Sequence, residues 1–302
     1  MKQVTPPSWQ IASIIGVGIL AISTSAILVR LATETTQDDS VGFSLVIAAS
    51  RLTIAALLLA PQWQAFQTPP SGAVKYSVAA GLMLAIHFAA WISSLSYTSI
   101  TASTTLVTTN PIWVALISWV WFKESLSRRM MVGIAMALVG GMFIGSTQPS
   151  DVASNPLLGN SLALIGAWTS SCYLLLGREA QRASFSIGHH VFIAYSVAAV
   201  ILLPLPLLAG ASYTGYPALT YLWFGLMALI PQLIGHTSFN WAVRYLSPTL
   251  VTLAILMEPI GASILGYLLF QELPSLQTLI GAAILLAGVA TAVLNVSAAS
   301  QS

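Results

Sequence analysis

Apolar residues gather in ten stretches of about 20, the length an α-helix needs to cross a bilayer's hydrocarbon core. They lie near 11–31, 41–60, 74–96, 101–122, 129–146, 157–177, 188–209, 218–240, 248–270 and 275–296, separated by short polar or Pro/Gly-containing breaks. No break leaves room for an inserted soluble domain. The longest polar gap, Ser146 to Pro156, reads as a linker. The first stretch is longer than the apolar core of a signal peptide, usually about 7–15 residues, and it has a counterpart in the second half.

That counterpart belongs to an internal repeat. A shift of 148 places Arg30 on Arg178, Gly18 on Gly166 and Ser23 on Ser171. Between 97 and 140 the shift gives 13 identities in 44 positions without a gap, among them Tyr97, Pro111, Phe122, Glu124 and Gly140. Leu and Ala coincide cheaply in an apolar chain, whereas Pro, Tyr, Phe and Glu do not. The predicted architecture is an all-α integral membrane protein of ten transmembrane helices. A first five-helix repeat spans 11–146, a linker 147–156 and a second five-helix repeat 157–296. Five is odd, so the second repeat should enter the membrane from the opposite side, as an inverted-topology repeat around a central cavity.

Charge supplies the orientation. With the N-terminus in the cytoplasm, the inner loops carry Lys2, Lys75, Lys123, Arg128, Arg129, Arg178, Arg182 and Arg244. The outer side carries Arg30 alone, and Arg51 sits within the second stretch. The positive-inside rule therefore predicts both termini in the cytoplasm.

Composition narrows the class. The chain of 302 residues is 57% hydrophobic and 6% charged, with a mean hydropathy of +0.86. Average soluble domains are about 25% charged, so a soluble enzyme is excluded. A net charge of +2 with no basic stripe argues against nucleic acid as a partner. The single cysteine, Cys172, gives neither a disulfide framework nor a cysteine metal site. No cofactor and no metal is expected. The expected partners are a small-molecule substrate, the lipid bilayer and protons, with the chain a monomer or weak homodimer.

Polar groups at membrane depth are costly, which makes each a candidate site. Glu258, in Leu256-Met257-Glu258-Pro259, is the carboxylate farthest from either interface. Pro259 removes a backbone donor and frees the carbonyl of Ile255, so a cation or ammonium site is one reading. A protonated core acid is the other. The repeat partner of Glu258 is Asn110, before Pro111, on a helix crowded by Thr104, Thr105, Thr108 and Thr109. Those hydroxyls can also simply bond back to the preceding turn. Two helices kinked by Pro111 and Pro259 would meet near the midplane, where inverted-repeat transporters hold substrate.

His87, Trp91 and Ser94 share one face of the third helix, and His236 and Asn240 form an i, i+4 pair on the eighth. Each histidine can serve a ligand, or sit neutral against a backbone carbonyl. Trp168, at the middle of the sixth helix, is expected on a cavity wall, because a mid-membrane indole N–H needs a partner. Gly141 and Gly145 form a G-x-x-x-G expected to pack closely, against the tenth helix. The candidate substrate-binding set is thus His87, Trp91, Asn110, Trp168, His236, Asn240 and Glu258, with Pro111 and Pro259 as helix kinks. No H-E-x-x-H, G-x-S-x-G or Walker glycine loop occurs.

Five plus five spans, with Pro-centred fourth and ninth helices each followed by Phe-x-Glu (Phe122-Lys123-Glu124 and Phe270-Gln271-Glu272), resemble the drug/metabolite transporter superfamily, specifically its EamA-type exporters. The resemblance covers about 11–296 and is most specific over Asn110–Gly133 and Glu258–Gly281. It implies a central cavity walled by His87, Trp91, Asn110, Trp168 and Glu258. Many members carry Glu before both prolines, whereas here the first is Asn110. It further implies a secondary transporter in the bacterial inner (plasma) membrane, exporting amino acids or related amphipathic metabolites by alternating access. The alternatives are a facilitator or proton antiporter for amines or drugs and, further off, an integral membrane enzyme or a sensor.

Overall fold

A computed structural model describes residues 6–61, 71–98, 100–123, 127–145, 155–183, 185–271 and 276–299. Most of the predicted linker, together with Glu124 and Glu272 of the Phe-x-Glu pair, lies outside these residues. The described residues form helices and connecting turns only, grouped into ten units.

The first repeat holds α1 (Ser8–Thr36), α2 (Val41–Leu59), α3 (Ser71–Ser94), a two-part α4 (Ile100–Val107 and Asn110–Phe122) and α5 (Arg128–Gly145). The second holds α6 (Pro156–Arg182), α7 (Ile187–Leu202, extended by Pro204–Leu208), a composite α8, a two-part α9 (Pro248–Ile255 and Glu258–Phe270) and α10 (Leu276–Ala299). α8 runs through Ala218–Met227, a π-helical segment Ala228–His236 containing Pro231, and Thr237–Ala242.

Local sequence fixes several boundaries. Ser40, Ser186 and Ser247 accept the backbone N–H three residues on and open α2, α7 and α9. Asn155 does the same for α6, with Pro156 at the first helical position, where its missing N–H costs nothing. α1 ends at Gln37, α4 at Lys123 and α9 at Gln271, each with positive φ.

Burial is inverted relative to a soluble protein. Large apolar side chains such as Leu57, Trp119, Val200 and Leu268 are exposed, while Arg51, Ser77, Gln232 and Asn240 are fully buried. An apolar exterior that encloses buried polar groups suits a lipid solvent.

Packing respects the repeat. α5 lies along α10; α3 packs on α6 as α8 packs on α1; α3 meets α7 as α8 meets α2. The α5–α10 contact is the tightest, and it uses glycines one residue away from those expected. A Cβ on Gly140 would collide with the backbone of Leu285 and Gly281, and one on Gly288 would lie 2.5 Å from Ala137 N and 2.7 Å from Gly133 O. A Cβ on Gly141 would meet nothing. The helices therefore cross on Gly140 and Gly288, which the 148-residue shift superimposes, and not on Gly141.

Candidate functional site

Proline builds the centre of the molecule. Pro111 cannot donate to the carbonyl of Val107, nor Pro259 to that of Ile255, and each ring crowds that carbonyl. α4 accordingly breaks at Thr108–Thr109 and α9 at Leu256–Met257. Thr108 and Thr109 send their hydroxyls back to Thr104 O (2.9 Å) and Leu106 O (2.7 Å), so the threonine crowding mainly satisfies the broken turn.

Braces from the other repeat hold the two breaks. Ser171 Oγ donates to Ala167 O at 2.8 Å and reaches Asn110 O at 3.4 Å. Its repeat mate, Ser23 Oγ, donates to Ile19 O at 2.8 Å and reaches Glu258 O at 3.3 Å. The heads at the breaks differ. The Asn110 amide nitrogen donates to Val107 O (2.8 Å), the carbonyl stranded by Pro111, and to Ala167 O (3.0 Å). This turns Asn110 Oδ1 toward Ser170. The Glu258 carboxylate makes no hydrogen bond or close ion pair with any described residue, and it opens on a cavity.

That cavity, of about 50 Å³, lies between the repeats. Its wall is assembled from pairs that the 148-residue shift superimposes: Ser25 with Tyr173, Trp91 with Phe239, Val107 with Ile255, and Asn110 with Glu258. His87, Ser170 and His236 also line it. The duplication thus generates the cavity, and the divergent positions within each pair set its chemistry.

The His87 ring lies parallel to Trp91, with centroids 6.0 Å apart and 9° between planes, and 6.5 Å from His236. Nδ1 of His87 is 2.9 Å from Gly166 O. A carbonyl only accepts, so Nδ1 carries the proton and Nε2 of the neutral ring is left as an acceptor. Gly166 allows the approach, since a Cβ there would sit 3.2 Å from Trp91 Cβ. The indole N–H of Trp91 is buried and has no acceptor among the described residues. A buried unpaired donor costs about 1–3 kcal/mol, and a ligand in the cavity can relieve it.

His87, Trp91, Asn110, His236 and Glu258 therefore meet around one space. Asn240 stands behind the wall, donating to Tyr173 OH at 2.6 Å and to His236 O at 2.9 Å, and so orients two wall residues. Trp168 is elsewhere: it is 43% exposed on the outer surface. α6 faces the cavity with Ser170, Tyr173 and Leu174. At about 100° per residue, Trp168 points some 200° away from Ser170. The expectation of a cavity wall thus fails on helix face, because position along a span carries no information about rotation around it.

Arg51 escapes the sequence reading as a site residue. It is 0% exposed, donates from Nε to Gln232 Oε1 (2.8 Å) and from Nη1 to Ser25 Oγ (2.8 Å), and lies 4.5 Å over the Phe88 ring. Its position within an apolar stretch is the available signal. Among the described residues no group of three or more His, Cys, Asp or Glu could hold a metal.

Two copies of a five-helix unit, apolar outside and closing on a central cavity, define a polytopic membrane protein. Residues 9–146 and 157–294 each match the EamA-like transporter family, and the chain belongs to that family. It is 22% identical over 271 residues to an uncharacterized transporter of Archaeoglobus fulgidus, covering 88% of this chain and 91% of that protein. It is 24% identical over 196 residues to the uncharacterized transporter YdfC of Bacillus subtilis, covering 64% and 62%. A solved structure titled only "Crystal structure of protein" shares the fold, with a TM-score of 0.73 at 18% identity over 95% of this chain and 98% of that one.

Proposed function

We propose that the protein is a secondary transporter that exports small metabolites, amino acids or related amphipathic compounds, from the cytoplasm across the bacterial inner membrane by alternating access. The observation that carries this reading is the cavity itself. It is built from superimposable pairs of the two repeats, and on its wall stand Glu258 and Trp91, whose carboxylate and indole N–H have no partner among the described residues. Both groups belong to residues that a ligand in the cavity would meet.

The odd number of spans per repeat makes the topology inverted, and the Lys/Arg bias puts both termini in the cytoplasm. Pseudo-symmetric halves of this kind can rock about a fixed midplane site and expose it to either side. Trp91 and Phe239 pack the apolar part of the ligand, Asn110 and His87 hydrogen-bond its polar head, and Glu258 pairs with an ammonium group or exchanges a proton.

Counterflow of labelled amino acids and amines in proteoliposomes, with wild type against Glu258→Gln, tests the reading. We expect saturable exchange by wild type and a loss of at least tenfold in the variant. Full exchange by Glu258→Gln would make the carboxylate structural. An absence of counterflow across the whole panel would overturn transport of this substrate class.

A further inference from the structure

Around Arg51 the interior holds unspent donors. Gln232 Oε1 accepts from Arg51, and the amide nitrogen of Gln232, fully buried, has no partner among the described residues. Ser25 Oγ also accepts from Arg51, and its own hydroxyl proton reaches no acceptor among the described residues, although Ser25 forms part of the cavity wall. No carboxylate lies within 4 Å of Arg51 among those residues. A buried cation held only by neutral groups is poorly compensated, and a low-dielectric interior makes that costly. Arg51, Ser25 and Gln232 together form a corner rich in donors and short of an anion.

The opposite polarity gathers at the breaks of α4 and α9. Among the described residues Glu258 has no donor, Pro259 strands the carbonyl of Ile255, and Asn110 offers Oδ1 because its nitrogen is committed to Val107 and Ala167. This set is rich in acceptors and short of a cation.

We infer that the cavity reads its ligand by charge polarity: the Ser25 hydroxyl, polarised by Arg51, takes a carboxylate, while Glu258 and Asn110 Oδ1 take an ammonium group. The inference rests on the transport reading and narrows it to zwitterions, with simple amines rejected by the fixed charge of Arg51. Arg51 is then a positioning residue that acts through Ser25. A zwitterion adds no net charge to the cavity next to the buried Arg51. A lone amine would add an uncompensated positive charge beside Arg51, which the interior disfavours.

The test uses glycine, leucine and phenylalanine, each with its carboxamide, which keeps the ammonium and loses the carboxylate. Detergent-purified protein is melted with each compound, and the same pairs are run in vesicle counterflow. Wild type should be stabilised by at least one amino acid at concentrations at least tenfold below those its amide requires. Arg51→Gln should abolish or reverse that preference. Arg51→Lys, which keeps the charge, should retain its sign, an outcome a merely structural arginine would not produce. Ser25→Ala, a smaller change, should weaken the preference without unfolding the protein.

An unchanged preference in both Arg51→Gln and Ser25→Ala overturns the inference, as does a wild type that no amino acid stabilises or one that prefers amides. If the preference depends on Arg51 in melting but no compound crosses the vesicle membrane, the polarity stands and the transport reading fails.

Discussion

The Asn110–Pro111 and Glu258–Pro259 breaks use one backbone for two ends. In each, eight helical residues lead to a break, thirteen follow, and a positive-φ residue closes the unit. In each, a serine of the opposite repeat braces the residue before proline. The heads then diverge. Asn110 spends its nitrogen on the carbonyl that Pro111 strands, so the first break is internally satisfied. Glu258 cannot donate when ionised, so Ile255 and Glu258 both remain acceptors beside the cavity. Duplication supplied a symmetric frame, and a single divergence between amide and acid gave it a direction.

If that contrast is right, Asn110 and Glu258 fail in different ways. Asn110→Ala should lower stability by about 1–3 kcal/mol, since it strands the carbonyl of Val107, while Ala167 O keeps the Ser171 hydroxyl. Glu258→Gln removes no hydrogen bond among the described residues and should cost less than Asn110→Ala. Denaturation in mixed detergent micelles, followed by tryptophan fluorescence, separates them. Equal losses in the two variants would erase the distinction between a structural and a ligand-facing head.

The helix crossing offers a sharper comparison, because there the repeats did not diverge. Gly140→Ala and Gly288→Ala should each cost about 1–3 kcal/mol, the usual penalty of forcing a methyl group into a filled contact. Their effects should match within about 0.5 kcal/mol, and Gly141→Ala should be neutral or slightly stabilising, since alanine is the better helix former. Thermal melts of the three variants decide it. A larger loss from Gly141→Ala than from Gly140→Ala would mean that α5 is rotated by one position.

The glycine crossing and the proline breaks also separate what is written along the chain from what only folding creates. Spans, repeat and broken helices are legible because runs of 20 apolar residues, an ungapped 148-residue shift and two prolines are one-dimensional signals. Glu258 is legible for a related reason: in so apolar a chain, a carboxylate far from either end of its span is conspicuous. Rotation about a helix axis is not. An error of one residue moves a side chain by about 100°, enough to replace Gly140 by Gly141 or to turn Trp168 inward. Arg51 is equally conspicuous but has no repeat partner, since the shift places it on Ala199. A reading by pairs passes over it, and only the fold gathers Gln232 and Ser25 around its guanidinium.

The smallest expected effect concerns Trp91 and its mate Phe239, which hold equivalent positions in the two repeats but differ by one N–H. Trp91→Phe makes the pair alike and removes a buried donor that the described residues leave unpaired. Stability should hold or rise by up to about 1 kcal/mol, because an unsatisfied group disappears at the cost of a slight loss of volume. Ligand affinity should move the other way: a hydrogen bond worth about 0.5–1.5 kcal/mol corresponds to a loss of roughly 2- to 13-fold. Trp168→Phe, on the outer face, should change neither by more than about 0.5 kcal/mol. Melting curves with and without substrate measure both quantities on one sample. A variant that loses stability and keeps affinity would place the Trp91 N–H in the packing of α3 against α6.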